Sequence, residues 1–199
     1  MQALAAILMT ALAAFEAGQD EEAKKRETFL KEFKDKTPAK RIDAVQKMGG
    51  STEDKSIVAV AAGLKDPVLD VKKAVAGCLQ ECTDAGGSAV KPLCAVVNNK
   101  KEDKDVRLAC IKALAKEEYK AEAIDAMIQA ITIDEKEKEL YMFGAEVTRI
   151  LAGFAGQDFG ATKETPAKWQ NWYKLNQGML ARADAEKLAA WKKSAGKGK

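Results

Sequence analysis

The side chains best able to do chemistry are four cysteines, Cys78, Cys82, Cys94 and Cys110, in a chain with no histidine. The missing imidazole removes the Ser-His-Asp triad, the Cys-His pair and every His-ligated metal site. Carboxylate, lysine or thiolate chemistry remains open, without the commonest general base. Cys78-x-x-x-Cys82 lies within a helical pattern, which is the wrong setting for a zinc knuckle, and a Cys-only zinc site would need all four thiolates to converge. Cys110 occupies a small packing position in its helix and reads as core. Cys78 and Cys94 are equidistant from a turn centred near Gly86, so antiparallel helices would bring them face to face. Helix axes usually lie ~8–10 Å apart and a disulfide needs Cα atoms within ~7 Å, so a bridge there requires close packing and an oxidising compartment.

Three further motifs weaken under inspection. Asp158-Phe159-Gly160 has the letters of a kinase metal-binding triplet, but no Gly-rich loop, catalytic-loop signature or sheet accompanies it. The run Asp134-Glu135-Lys136-Glu137-Lys138-Glu139 lacks the glycine and ligand spacing of a calcium loop and reads as the solvated start of a helix. Trp169 and Trp172 could stack on a sugar or a base, but at i and i+3 they also suit covering an apolar end. No catalytic, cofactor-binding or metal-binding residue is assigned, and no cofactor is expected.

The elements that carry these residues repeat. Lys40-Arg41-Ile42-Asp43-Ala44-Val45-Gln46-Lys47-Met48 shares a frame with Val71-Lys72-Lys73-Ala74-Val75-Ala76-Gly77-Cys78-Leu79. The same frame returns at Val106-Arg107-Leu108-Ala109-Cys110-Ile111-Lys112-Ala113-Leu114 and, degraded, over 143–151. A second apolar helix follows each copy, giving a helix pair every ~31–37 residues, the range of helical solenoids. The second helices keep register with one another through Ile57, Val90 and Ile124. Thr37-Pro38 and Asp66-Pro67 supply a capping side chain followed by proline. Ser51 or Thr52 is expected to cap the second helix of the first pair, and the helix after Asp66-Pro67 is expected to reach about Thr83. One helix is expected over 134–155, ending at Gly153 or Gly156, and a separate final helix over 179–193. Phe29, Leu30 and Phe33 form a narrow stripe on a helix over 20–36 that would cap the first repeat. Alternating strand patterns are absent.

Composition agrees with close helix packing: 47% of the chain is apolar and only 6% aromatic. Charged residues make up 32%, of mixed sign, with a net charge of +3. The near-neutral repeat region argues against a nucleic-acid partner. Lys91, Asp125 and Gln129, on second helices, form no single-sign stripe, so no ligand class is assigned to the concave side.

The two ends differ from the middle. Residues 1–17 are apolar and Ala-rich, uncharged from Met1 to Phe15 with Glu16 the one charged side chain, and break into Gly18-Gln19-Asp20-Glu21-Glu22. They read as a signal peptide with a small-x-small site at Ala11-Leu12-Ala13; a buried N-terminal helix is the competing reading, since no Lys or Arg precedes the apolar run. The stretch is too short to span a bilayer comfortably, and no other segment is a transmembrane candidate. Residues 194–199, Ser-Ala-Gly-Lys-Gly-Lys, form a basic tail that reads as a solvated terminus, with contact to an anionic surface as the alternative.

The helix-pair length, the Asp66-Pro67 start and the Val-Lys/Arg-x-x-small-x-x-small-Leu frame at Val71 and Val106 resemble the HEAT repeats. The resemblance covers about 37–155. It implies an all-α solenoid of about three to four helix pairs with capping helices at both ends. It further implies that small residues (Ala44, Cys110, Ala113) admit neighbouring helices and that Arg41, Lys72 and Arg107 build a polar ladder with acids of adjacent turns. Lys40 in the first copy and Gly144 in the fourth depart from the frame, as end repeats do. The ending from Gly156 through Trp169-Gln170-Asn171-Trp172 is similar to that of exported bacterial HEAT-like proteins. The implied organisation is a leader over 1–17, a capping helix over 18–36, repeats over 37–155, a cap over 156–193 and the tail over 194–199. The function so implied is a non-catalytic, exported scaffold that binds a protein. HEAT-like enzymes, namely bilin lyases and DNA glycosylases, are the alternative, and anionic-surface binding through the tail is a third.

Overall fold

A computed structural model describes residue 18 and residues 20–195, and the predicted leader and the last four residues of the basic tail lie outside that range. The described residues are all-helical, with no strand. In chain order the helices are α1 (20–32), α2 (Pro38–Gln46), α3 (Asp54–Ala62), α4 (Leu69–Glu81), α5 (Val90–Asn98), α6 (Lys104–Leu114), α7 (Lys120–Ala130), α8 (Lys138–Ala155) and α9 (Thr165–Ala195), with a short 3-10 turn, Gly63–Lys65, after α3.

The helices form two rows. First helices stack as α2, α4, α6 and α8, and second helices as α3, α5, α7 and α9. Each second helix also packs on the first helix of the next pair: α3 on α4, α5 on α6, α7 on α8. This is a helical repeat-like fold, and its internal period is visible in the bonds. Side chains reach backbone or side-chain partners 34 residues away four times: Cys82 to the Met48 carbonyl, Ser88 to Asp54, Tyr119 to the Ala85 carbonyl and Lys120 to the Phe154 carbonyl.

The core runs between the rows. Ile57, Val90 and Ile124 are all buried there, as their shared register predicts, and so are Ala44, Cys110 and Ala113, whose small volumes let the helices approach. Phe29 is buried beneath α1 and the Phe33 ring lies against Gly63, so α1 does cover the start of the array. Leu30, by contrast, is 47% exposed. The 3.6-residue period turns it away from the side shared by Phe29 and Phe33. Ion pairs Arg26–Glu53 and Lys47–Glu32 hold α1 in place.

Several boundaries differ from expectation. Thr37 and Pro38 do open α2, though the Thr37 side chain makes no capping bond. Asp66-Pro67 does not open α4, which starts at Leu69 behind Val68. Asp66 instead accepts the Val68 N–H and pairs with Arg41, so the helix begins only after that carboxylate is engaged. The start of α3 follows Glu53 rather than Ser51 or Thr52, and α4 stops at Glu81, short of Thr83. Helix α8 begins at Lys138, because 134–137 form a turn in which Asp134 accepts the Lys136 N–H. It ends at Gly156, one of the two glycines expected there, whose φ of 72° is a left-handed cap that favours glycine.

The largest departure is at the C-terminus. A final helix over 179–193, separate from the Trp169–Trp172 segment, is expected, yet one 31-residue helix, α9, spans both. Gly178 weakens such a helix by about 1 kcal/mol. Packing on either side of it offsets that: Trp169 and Tyr173 before, Asp184, Leu188 and Trp191 after. The Trp pair therefore opens the second helix of a fourth pair, which then runs back over the turns between earlier helices.

Candidate functional site

The cysteines are the first residues to place. All four are free. Cys78 and Cys94 do not meet. Cys78 sits beside Cys82, one helical turn on, while Cys94 Sγ points to the Glu122 carbonyl of the α7 segment at 3.6 Å. The face-to-face register fails because α5 packs against α6 and α7 rather than along α4. The Cys82 hydrogen bond, then burial, pushes the Cys78 thiol up, and burial raises Cys94 and Cys110 to about 12. Thiols held protonated in this way are poor nucleophiles and poor metal ligands. Among the described residues no group of three or more Cys, Asp or Glu is arranged to hold a metal ion.

The basic position of the frame forms rungs between repeats. Arg41 donates from Nε to Asp66 Oδ2 at 2.7 Å and from Nη2 to Asp66 Oδ1 at 3.0 Å, a two-pronged match of guanidinium to carboxylate. Lys72 donates to Glu102 at 2.6 Å. Lys73–Asp105 and Lys104–Glu139 add outer rungs at 3.0 and 2.9 Å. The ladder stops at Arg107, which has no acid partner among the described residues. It donates to the Val97 carbonyl at 2.9 Å and lies 5.0 Å from the Phe143 ring centroid, a cation–π contact in place of an ion pair. Gly144 then stands at the basic position of the fourth copy for a steric reason. A Cβ there would collide with the Thr132 backbone carbonyl, so α8 passes too close to the preceding segment for any side chain.

Trp169 is fully buried and meets Phe159 and Trp172 edge-on, with centroids 4.9 and 5.6 Å away. Neither its depth nor its neighbours leave a face for stacking on a ligand. Asp158-Phe159-Gly160 is a turn in which Asp158 accepts the Gly160 N–H at 2.8 Å and Phe159 feeds the aromatic cluster.

Two surface concavities arise where α9 crosses the array. One, of about 480 Å³, lies between α9 and the starts of α5 and α7, lined by Val90, Tyr119, Asp184 and Leu188. Asp184 closes it by accepting the Lys120 and Ala121 N–H groups at 3.0 and 2.8 Å. Tyr119, the residue before α7, offers no capping side chain, so a carboxylate 63–64 residues away caps that helix. Of the expected concave-side residues, Lys91 lines this concavity, while Gln129 donates to Asp125 at 2.6 Å on α7.

The other is an open cleft of about 830 Å³ between the end of α6, the C-terminal half of α8 and α9. Lys112, Lys116, Lys120, Arg149 and Lys187 line it, with Glu117, Glu118 and the apolar wall of Ile150 and Phe154. Lys120 donates to the Phe154 carbonyl and sits 4.9 Å from that ring centroid; Lys187 donates to the Glu118 carbonyl. Glu117 is buried at 7% exposure, and burial, followed by Asp84, Cys82 and Glu118, raises its carboxyl to about 8. Sequence reasoning does not single out these residues. The spacing of Lys112, Lys116 and Lys120 in steps of four was legible, but Arg149 and Lys187 join them only through α8 and α9. The chain matches no protein-family profile, no curated protein and no solved structure.

Proposed function

We propose that the chain is a non-catalytic scaffold of HEAT-like repeats, working outside the cytoplasm, that binds a protein partner. The observation that carries this reading is the set of contacts recurring at 34 residues, which ties successive helix pairs into one preorganised surface. Such a surface binds through shape and distributed side chains, and little ordering is left to be lost on association. The chemically able residues support it: three thiols are buried or held protonated, Trp169 is packed, and the basic residues Arg41 and Lys72 are spent on the ladder. The solvent side of the second-helix row keeps side chains such as Lys91 and Gln129 available. The reading for export is the uncharged apolar run from Met1 to Phe15 within 1–17.

A photoreactive amino acid at Gln129 tests the scaffold, with one at Lys101, in the α5–α6 loop, as control. The scaffold predicts a discrete protein adduct from position 129 in intact cells and none from 101. No adduct, or equal adducts at both, refutes it. N-terminal sequencing of the purified chain tests export: a start beyond Ala13 supports it, and a start at Met1 refutes it.

A further inference from the structure

We infer that the cleft between α6, α8 and α9 docks an acidic segment of the protein partner, an inference that rests on the scaffold reading above. Its cations differ from those of the ladder. Arg41, Lys72, Lys73 and Lys104 each face a carboxylate of the next repeat. Among the described residues no cleft cation does so, and Arg149 alone has an ion pair, with Glu146 one turn earlier on its own helix at 2.8 Å. Lys120 and Lys187 are anchored on carbonyl oxygens, which fix their position without cancelling their charge. Lys112 and Lys116, exposed and one turn apart, have no ion pair among the described residues. Glu118 is the one exposed acid among the lining residues, and buried Glu117, raised to about 8, adds little negative charge at neutral pH.

Shape selects the class of ligand. A small-molecule pocket commonly encloses ~70–90% of its ligand. This cleft is open to solvent, and α4 through Gln80, α6, α8 and α9 contribute to it, with cations on each of the last three and an apolar wall at Ile150 and Phe154. An extended segment alternating carboxylates with an aliphatic side chain satisfies both the lysines and the wall. Phosphorylated small molecules share the charge but offer nothing aliphatic to the Ile150 and Phe154 wall.

The test uses the full chain and a short fluorescein-labelled peptide of Glu-Glu-Leu repeats, followed by anisotropy at low and at physiological salt. Binding is expected to weaken with salt and to fall about tenfold or more in the Lys112→Glu/Lys116→Glu double variant. A Lys100→Glu/Lys101→Glu variant is expected to bind as wild type. Both pairs are exposed, and circular dichroism checks that each variant folds. Equal losses in the two variants, binding abolished by deleting residues 194–199 alone, or inorganic tripolyphosphate binding at the cleft where the peptide does not, would each overturn the assignment. The double variant also separates the two readings. If the adduct from position 129 persists undiminished in it, the cleft assignment fails and the scaffold stands; if wild type gives no adduct, the scaffold fails.

Discussion

Glu117→Gln stabilises this fold, and the gain grows with pH. Glu117 lies in the turn between α6 and α7, buried, with Asp84, Cys82 and Glu118 around it. Its carboxyl rises from an ordinary value of 4.5 to about 8, burial being the largest cause. The folded chain therefore holds this proton more tightly than the unfolded chain. The associated stability is complete below the ordinary glutamate range and is lost as pH climbs towards about 8. One pH unit in this window is worth about 1.4 kcal/mol, so wild type forfeits roughly 3 kcal/mol by pH 7 and somewhat more by pH 8.5. Glutamine keeps the shape and a hydrogen-bond donor without a proton to lose. The variant should match wild type at pH 4.5, exceed it by about 3 kcal/mol at pH 7 and hold its lead above pH 8. Urea unfolding followed by tryptophan fluorescence at those three pH values measures the difference. A difference that does not change with pH, or a wild type that gains stability between pH 5 and 8, would refute the reasoning.

Removing the remote cap with Asp184→Ala should cost about 1 kcal/mol and speed hydrogen exchange at the first amides of α7, with Asp184→Asn nearer to wild type; unchanged protection at Lys120 and Ala121 would sink the cap. Trp169→Ala should cost about 3–5 kcal/mol in urea unfolding. Trp169→Phe should cost clearly less, because the buried indole N–H has no partner to lose, and equal losses would contradict that. Mass mapping after oxidative purification should show all four cysteines open to alkylation once the chain is unfolded, with Cys110 the slowest while folded; a Cys78–Cys94 crosslink would overturn their placement.

Periodicity alone determined a good deal. The repeated frame and the spacing of Ile57, Val90 and Ile124 fixed the helix pairs, their register and their buried sides, because a 3.6-residue period and a roughly constant repeat length are local properties of the chain. The absence of histidine settled which chemistry was closed. Glycine narrowed the end of α8 to Gly153 or Gly156 for an equally local reason, and the left-handed φ falls at Gly156.

What lay beyond the sequence depends on which elements become neighbours. Leu30 continues a plausible apolar run yet faces solvent, since only the packing of α1 decides which side is covered. Asp66 looks like a helix cap and is instead the partner of Arg41, a choice made by a residue 25 positions away. Cys78 and Cys94 are symmetric about a turn in sequence, and the offset packing of α5 on α6 and α7 separates them. The cap of α7, the raised carboxyl of Glu117 and the basic cleft share one cause. Each is built where α9, or the approach of neighbouring turns, brings together charges far apart in the chain. Helical periodicity says which side of a segment is apolar, but charge, burial and clefts are sums over neighbours, and those exist only once the rows have stacked.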